Sequence, residues 1–360
     1  MRYFKLLAGV AILAAALVGC SNDDNGTNPP VQLPKHVTEW NDSDSTWTTT
    51  LQADGERGSY SYYSFADRNV VGLTDAQAKS STDWDIAFKK SYVKTNGGVS
   101  GNGSVKAVDL TVNGIVAADA FAEVGSAQVT EVESGKWMTD VYDFALDSLW
   151  NIDSGTLART PKQYVYILSD AMGNMVKFQL LSMIGGQPSQ QGAMVLKYFY
   201  QSNAASTALD GVAEVDTIDA AGGFYFDFSS DQVVTPTDPT NSKDWDIRIY
   251  SYDIYLNGSV FGPGSAAAFP VYDGLSDRTD FDAVTDVNQF GPPRWVADEM
   301  MSAFTATDWY NYNFSTHVLT SKMNTYLVQV GGKTYKVEIV SYYDPETQAS
   351  ATFTFHWAEL

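Results

Sequence analysis

The sequence predicts an all-β fold, mostly antiparallel sheet with a few short helices, in which one β-rich unit occurs twice. Short runs of β-branched and aromatic residues alternate with polar ones, and Gly-Gly and Asn-Gly turn signals separate them. A Trp-Asp strand followed by a glycine-rich turn also returns 161 residues later. The residues of the first copy that recur unchanged at this offset are Asp83, Trp84, Asp85, Ile86, Asn96, Gly97, Val99, Gly101 and Gly103. Nine ungapped identities indicate an internal duplication.

The N-terminus has the pattern of a signal peptide. Residues 1–5 carry positive charge, residues 6–18 are apolar, and the segment is too short to cross a bilayer comfortably. Leu17-Val18-Gly19-Cys20 resembles the lipobox of bacterial lipoproteins, and Cys20 is the only cysteine. We therefore expect residues 1–19 to be a lipoprotein signal peptide and Cys20 to carry the lipid. An ordinary secretory signal with an incidental cysteine is the alternative.

Residues 20–38 contain almost nothing to bury and are predicted to be the lipidated cysteine and a flexible tether. Ser21 follows the cysteine, whereas an Asp there would signal retention in the inner membrane under the sorting rule of enterobacteria. Ser21 therefore favours the outer membrane, and we expect the lipoprotein to face the cell surface. The formal net charge of −21 argues against nucleic-acid binding and against electrostatic attraction to an anionic membrane. Membrane attachment is therefore expected to come from the lipid alone.

The strands of the two repeats follow the same order. In the first, strand patterns cover residues 47–51, 60–65 and 70–71, and residues 224–228 and 233–234 of the second are the counterparts of the last two. Each repeat closes with a hairpin, at 164–182 and at 326–341, and a further strand. These matches predict two tandem domains, residues 39–203 and residues 213–360.

Helix is expected to be scarce. Residues 296–304 have helical composition and spacing over about two turns. Residues 117–124 are a candidate equivalent in the first repeat. Neither segment is long enough to organise a domain.

The repeated motif is interpreted as scaffold. A tryptophan at a strand start is expected to fill the core, the neighbouring Asp to accept hydrogen bonds from turn amides, and Asn-Gly to supply positive-φ positions. Direct ligand contact by the motif is the less favoured reading. The positions assigned to the structural motif are Trp84, Asp85, Asn96, Gly97, Gly101, Gly103, Trp245, Asp246, Asn257, Gly258, Gly262 and Gly264.

Both copies of this motif, together with residues 63–71, 308–312 and the hairpin at 326–341, resemble the HmuY family. That resemblance covers nearly all of the chain after the tether. It implies a lipid-anchored, mostly β protein that binds haem outside the cell and passes it to a TonB-dependent outer-membrane receptor. The best-known member uses two histidines as axial ligands, and some relatives use methionines.

Haem requires an apolar slot and one or two axial donors. In the loops where the family carries its donors, the first repeat has only Met138, whereas the second has Met300, Met301, His317 and Met323. His317 with Met300 or Met301 are therefore the candidate axial ligands. A purely hydrogen-bonding role for His317 and a tyrosine donor remain alternatives.

The remaining histidines are less suitable as donors. His36 is expected in the tether and His356 on a strand surface. The Asp-rich turns at 41–45 and 235–239 lack the spacing of a calcium loop and are interpreted as solvated turns.

Two other functions compete with haem binding. One is an accessory surface lipoprotein that binds a protein or glycan through its loops, with exposed aromatic residues expected at Trp295, Trp309 and Tyr310. The other, a hydrolase, is least favoured because the sequence has no nucleophile-elbow motif and no zinc-protease motif. The protein is therefore predicted to be a binding protein and not an enzyme.

Overall fold

The fold is all-β, as predicted. The computed structural model describes residues 34–53, 59–146, 149–184, 192–219, 223–271 and 280–360. The paired strands in these ranges are antiparallel. The predicted signal peptide, Cys20 and most of the predicted tether lie outside the described residues.

The strands of the described residues are β1 (His36–Asn41), β2 (Thr46–Gln52), β3 (Ser61–Ser64), β4 (Asn69–Val71), β5 (Ile86–Lys89), β6 (Tyr92–Thr95), β7 (Lys106–Asp109), β8 (Val141–Asp143), β9 (Trp150–Ile152), β10 (Arg159–Pro161), β11 (Val165–Ser169), β12 (Met175–Ile184), β13 (Ala193–Gln201), β14 (Glu214–Asp219), β15 (Phe224–Asp227), β16 (Gln232–Val234), β17 (Ile247–Tyr250), β18 (Asp253–Leu256), β19 (Ala267–Pro270), β20 (Glu299–Met301), β21 (Tyr310–Asn313), β22 (Val318–Ser321), β23 (Thr325–Val330), β24 (Lys333–Ser341) and β25 (Thr352–Glu359). The two predicted hairpins are β11–β12 and β23–β24, and the closing strands are β13 and β25. These predictions are confirmed.

Helix is scarce, as the composition predicted. The described part of the chain contains α1 (Asp75–Ala78), α2 (Ser126–Glu131) and 3-10 turns at Phe121–Glu123 and Ser134–Lys136. Within that part, no helix is both long enough and apolar enough to cross a membrane.

The helix predicted over residues 296–304 is wrong, because its middle is extended as β20. Val296 exchanges backbone hydrogen bonds with Ala268, and the buried Asp298 carboxyl accepts the N–H groups of Ala145 and Leu256. These tertiary contacts hold the segment straight. A helix of two turns is only marginally stable by itself, so these contacts outweigh the helix propensity of the segment.

The described residues divide into two compact units. One, the continuous unit, is a single segment, Asp143–Glu299. The other, the split unit, combines the described parts of Cys20–Tyr142 with Met300–Leu360.

The split unit is built on a six-stranded sheet in the order β1-β2-β25-β24-β23-β7 and a four-stranded sheet in the order β4-β3-β5-β6. Its main core lies among residues of both sheets and includes Tyr63, Phe88, Val337, Phe355 and Trp357. The β21–β22 hairpin belongs to the same unit.

The continuous unit repeats this plan. Its five-stranded sheet has the order β14-β13-β12-β11-β19, and its four-stranded sheet has the order β16-β15-β17-β18. The main core includes Phe178, Leu196, Tyr198, Phe226 and Ile249. The short β9–β10 pair completes the unit.

The compact units do not coincide with the repeats. In the split unit, β1, β2 and β7 come from the first repeat and β23, β24 and β25 from the second. The continuous unit joins the closing strands of the first repeat to the opening strands of the second. The predicted ranges, residues 39–203 and 213–360, follow the sequence repeat, whereas each compact unit combines strands from both copies. Equivalent strands in two copies present equivalent pairing edges, so a sequence repeat does not determine which copy completes which sheet.

Residues 36–38, predicted as the end of the tether, belong to a strand. β1 begins at His36, which is half-buried and whose Nδ1 lies 3.2 Å from the carbonyl oxygen of Pro34. The expectation that His36 belongs to the flexible segment is wrong. Its strand is ordered by pairing with β2 along its whole length.

Candidate functional site

The Trp-Asp motif of the split unit is buried scaffold. Trp84 is fully buried, and its Nε1–H donates to the Ala78 carbonyl at 2.9 Å. The Asp85 Oδ2 accepts the backbone N–H of Phe65 at 2.7 Å. The indole thus closes a loop onto the core, and the carboxylate ties the turn after β3 to the start of β5.

Asn96 organises the glycine-rich turn. Its Nδ2 donates to the carbonyls of Ser81 and Trp84, and its Oδ1 accepts the N–H of Gly103. The side chain is completely buried, so every one of these groups would otherwise lack a partner. The turn is therefore built around one amide side chain.

This turn requires glycine because neighbouring atoms lie too close to leave room for a Cβ. A Cβ on Gly97 would lie 2.0 Å from the Val105 carbonyl oxygen, and one on Gly101 would lie 2.1 Å from the Asn96 Oδ1. The expectation that Asn96-Gly97 supplies positive φ is wrong, because the positive angle falls on Gly98, at 59°. Space, not backbone conformation, selects glycine at position 97.

The continuous unit repeats the arrangement, with one additional hydrogen bond at Asp246. Trp245 Nε1 donates to the Pro239 carbonyl, and Asp246 accepts the N–H groups of Phe228 and Ala171. Asn257 donates to Ser242 and Trp245 and accepts from Gly264. A Cβ on Gly258 would lie 2.5 Å from the Ala266 carbonyl oxygen, and one on Gly262 would lie 2.0 Å from the Asn257 Oδ1. Gly258, like Gly97, does not have a positive φ.

A second pair of buried carboxylates escaped the sequence analysis. Asp140 accepts the N–H and the hydroxyl of Thr95, and Asp298 accepts the N–H of Leu256, the residue equivalent to Thr95. Burial raises the pKa of Asp140 to about 6 and that of Asp298 to about 7. The signal was present, since Lys136-Trp137-Met138-Thr139-Asp140 matches Arg294-Trp295-Val296-Ala297-Asp298.

Each unit also contains a buried lysine whose ammonium group donates to backbone carbonyls. Lys336 Nζ donates to the carbonyls of Phe121 and Val124 and lies 4.5 Å from the Phe121 ring centre. Lys177 Nζ donates to the carbonyl of Val284 and lies 4.2 Å from the ring centre of Phe281. Burial lowers the pKa of both ammonium groups. Residues 121–124 therefore correspond to 281–284, and not to 296–304 as the sequence analysis suggested.

His317 lies in the turn of the β21–β22 hairpin and is exposed. Its Nδ1 is 2.6 Å from the hydroxyl of Tyr312, and the neighbouring Phe314 is 58% exposed. In the tautomer whose Nδ1–H donates to the Tyr312 hydroxyl, Nε2 carries the lone pair that can bind a metal.

Met300 and Met301 lie on β20 and not on a helix, and both are half-buried. The thioether of Met300 contacts the hydroxyl of Ser100. Among the described residues, no hydrogen bond or ring contact joins either methionine to His317. His317, in the β21–β22 turn, and the two methionines, on β20, are therefore separate donor candidates.

The other predicted positions are more buried than expected. His356 is half-buried, because the Phe121 ring lies 5.9 Å from the imidazole and covers that face of β25. Burial lowers the pKa of His356. Trp309, expected to be exposed, is buried and donates its Nε1–H to the Ser91 carbonyl. Trp295 and Tyr310 are half-buried.

A concave site lies elsewhere in the split unit. This aromatic cleft has a volume of about 640 Å³. Its lining consists of Trp40, Ser45, Trp47, Phe65, Ala66, Arg68, Lys333, Tyr335, Trp357, Ala358 and Glu359. The cleft contains no His, Met or Cys. Sequence reasoning missed it because β1 and β2 join β24 and β25 only in the folded sheet.

The described residues contain no group of three or more His, Cys, Asp or Glu side chains that could hold a metal ion. The calcium alternative for the Asp-rich turns gains nothing from the structure. In both turns the carboxylates bond to hydroxyl, amide and indole groups of the same turn.

Comparison with known proteins places these features in a family context. A sequence profile described as HmuY protein matches residues 57–198 and 221–357. No curated protein matches the chain in sequence.

Three solved structures are similar to this one. The apo HmuY analog of Tannerella forsythia is 8% identical, covers 91% of this chain and 97% of its own, and has a TM-score of 0.33. Apo PinO from Porphyromonas gingivitis is 16% identical, with coverages of 41% and 85% and a TM-score of 0.16. A HmuY-like protein from Bacteroides vulgatus is 13% identical, with coverages of 49% and 95% and a TM-score of 0.15. All three TM-scores are low, so the family assignment rests on the sequence profile.

Proposed function

Because the HmuY profile matches more than half of its residues, this chain belongs to the HmuY family, and we propose that it binds haem or a related porphyrin. The observation that supports this most directly is the geometry of His317. An exposed imidazole, held through Nδ1 by Tyr312 and flanked by the exposed ring of Phe314, is suited to present Nε2 to iron. Bound haem would supply the iron centre. The chain would supply one nitrogen donor and an aromatic surface.

Met300 and Met301 remain proposed as alternative donors. A thioether is a recognised axial ligand, and both side chains are partly accessible. Met300 would have to leave Ser100 to bind iron, which makes it the weaker candidate.

Haemin titration of the full chain, followed through the Soret band, tests the proposal. A saturable shift is expected, and His317→Ala should remove most of it, whereas His36→Ala serves as the matched histidine control. Tyr312→Phe should weaken binding by roughly tenfold, because it frees the imidazole to rotate and change tautomer. A shift kept in His317→Ala but lost in Met300→Ala/Met301→Ala would move the donor to β20. No saturable shift in either redox state would refute haem binding.

The cellular setting is part of the same proposal. The protein is anchored by lipid at Cys20 in the outer membrane, faces outwards, and passes its ligand to a TonB-dependent receptor. The lipobox and the family support this. Metabolic labelling with a fatty acid should mark the wild-type protein and not Cys20→Ser. Recovery of a TonB-dependent receptor with the tagged chain, compared with and without haemin, tests the transfer step.

A further inference from the structure

The aromatic cleft exposes a tryptophan at its rim. Trp40 is 45% exposed, although exposed indole is costly in water. The ring is held in place, since its Nε1–H donates to the Asp42 carboxylate at 2.6 Å and its centre lies 5.0 Å from that of Trp47. Trp47 in turn stacks on Trp357 at 5.8 Å. The cleft thus offers a rigid ring face at the surface.

Charged groups of both signs line the same cleft. The Arg68 guanidinium lies 4.4 Å from the Trp47 ring centre, and Lys333 forms a 2.8 Å ion pair with Glu359. Arg68 and Lys333 donate hydrogen bonds, and Glu359 accepts them. A ligand that meets all three must both donate and accept. It must also have an apolar face for the ring.

These two requirements narrow the ligand class. A porphyrin would find no His, Met or Cys donor in the lining, and the one tyrosine there, Tyr335, is only 3% exposed. A sugar ring has an apolar C–H face and hydroxyl groups that donate and accept. The volume of about 640 Å³ is within the usual range for small-molecule sites. We propose that the aromatic cleft of the split unit is a saccharide-binding site, separate from the proposed haem donor at His317.

The continuous unit differs at the equivalent positions. Phe65 corresponds to Phe228, but Arg68 is replaced by Asp231 and Trp357 by Tyr198. The Tyr198 hydroxyl lies within hydrogen-bonding distance of the carboxyl groups of Asp216 and Asp231, so the space is occupied by an acidic hydrogen-bonded group. At these positions the split unit therefore has an arginine and a tryptophan where the continuous unit has an aspartate and a tyrosine. This divergence is expected if the cleft of the split unit has its own ligand.

Native affinity electrophoresis of the full chain tests the site. Gels that contain soluble mannan, dextran, xylan or hydroxyethyl cellulose should retard the wild-type protein in at least one case. Trp40→Ala should weaken binding by about tenfold or more, because it removes the exposed platform and little of the core. Arg68→Gln should weaken it as well. Tyr250→Ala removes a similarly exposed ring in the continuous unit and should leave the retardation unchanged.

Three outcomes would overturn the proposal. In the first, none of these polysaccharides retards the protein. In the second, retardation persists in both Trp40→Ala and Arg68→Gln. In the third, Trp40→Ala abolishes the haemin Soret shift. The last result would assign the cleft to a porphyrin. Saccharide binding that survives His317→Ala, together with haemin binding that survives Trp40→Ala, would support two separate sites. Circular dichroism of each variant checks that the fold is kept.

Discussion

Trp47 of β2 lies directly opposite Trp357 of β25 in an antiparallel pair, with their ring centres 5.8 Å apart. The first of these residues belongs to the opening of the first repeat and the second to the last strand of the second repeat. Their pairing shows that the split unit is closed by both ends of the described chain. It also places the aromatic cleft at this junction.

The first prediction concerns where the chain can be cut. Residues 143–299 contain all strands of the five-stranded and four-stranded sheets of the continuous unit, so this segment should fold alone. Residues 39–203 contain β2 without β25, and β11 without β19, so they should not form a stable monomer. Circular dichroism and size-exclusion chromatography of both segments provide the measurement. If the 39–203 segment were a monomer that unfolds cooperatively and the 143–299 segment were unfolded, the arrangement in which each unit combines strands of both repeats would be contradicted.

The second prediction concerns the buried asparagines. Asn96→Ala leaves two carbonyls and one N–H without their partner, which should cost about 3 kcal/mol of the stability of the split unit. Asn257→Ala should have the same effect in the continuous unit. Hydrogen-exchange mass spectrometry separates the two units by peptide. Asn241→Ala, at an exposed turn, is the control and should change protection little.

The third prediction concerns the glycines. Gly97→Ala should lower stability by about 3 kcal/mol or more, because its Cβ would meet a backbone oxygen that no side-chain rotation can move away. Gly125→Ala is the matched control, since no atom lies within 4 Å of its Cβ and its φ of −137° suits any residue. Denaturant unfolding of both variants measures the difference. Equal stability would show that the turn around Gly97 can relax.

The fourth prediction concerns pH. Burial raises the pKa of Asp246 to about 7, and those of Asp85 and Asp140 to about 6, from an ordinary value of 3.8. The folded state therefore binds protons more tightly than the unfolded one, and this stabilisation, complete below about pH 4, is lost as the pH rises through about 7. The thermal midpoint should be higher at about pH 5.5 than at about pH 8.

Two variants isolate this effect. Asp246→Asn cannot lose a proton, so the difference between the two pH values should shrink. Asp238→Asn is the control, because the pKa of this exposed carboxyl is lowered by its bonds to Asn241 and Thr240, and it stays ionised at both pH values. A pH dependence identical in wild type and Asp246→Asn would exclude Asp246 as a source.

Much of the local structure could be predicted because it depends on local chemistry. Alternating apolar residues place β2, β3, β12 and β24, and Gly331-Gly332 marks the β23–β24 turn. The candidate site was less predictable. His317 was found from its residue type, but its bond to Tyr312 and the aromatic cleft depend on contacts that the sequence alone does not specify. The helix predicted over 296–304 failed because Asp298 is held by amides from other segments.

The fold class, the duplication and the scaffold role of Trp84 and Trp245 follow from residue pattern and spacing. Which strands complete each sheet does not follow from these patterns and is seen in the folded chain. Both repeats carry the same hairpins and closing strands, so pairing within a repeat and between repeats satisfies the same local preferences. The choice depends on chain connections and on the whole packed core. In this protein it brings β2 against β25 and thereby forms the aromatic cleft.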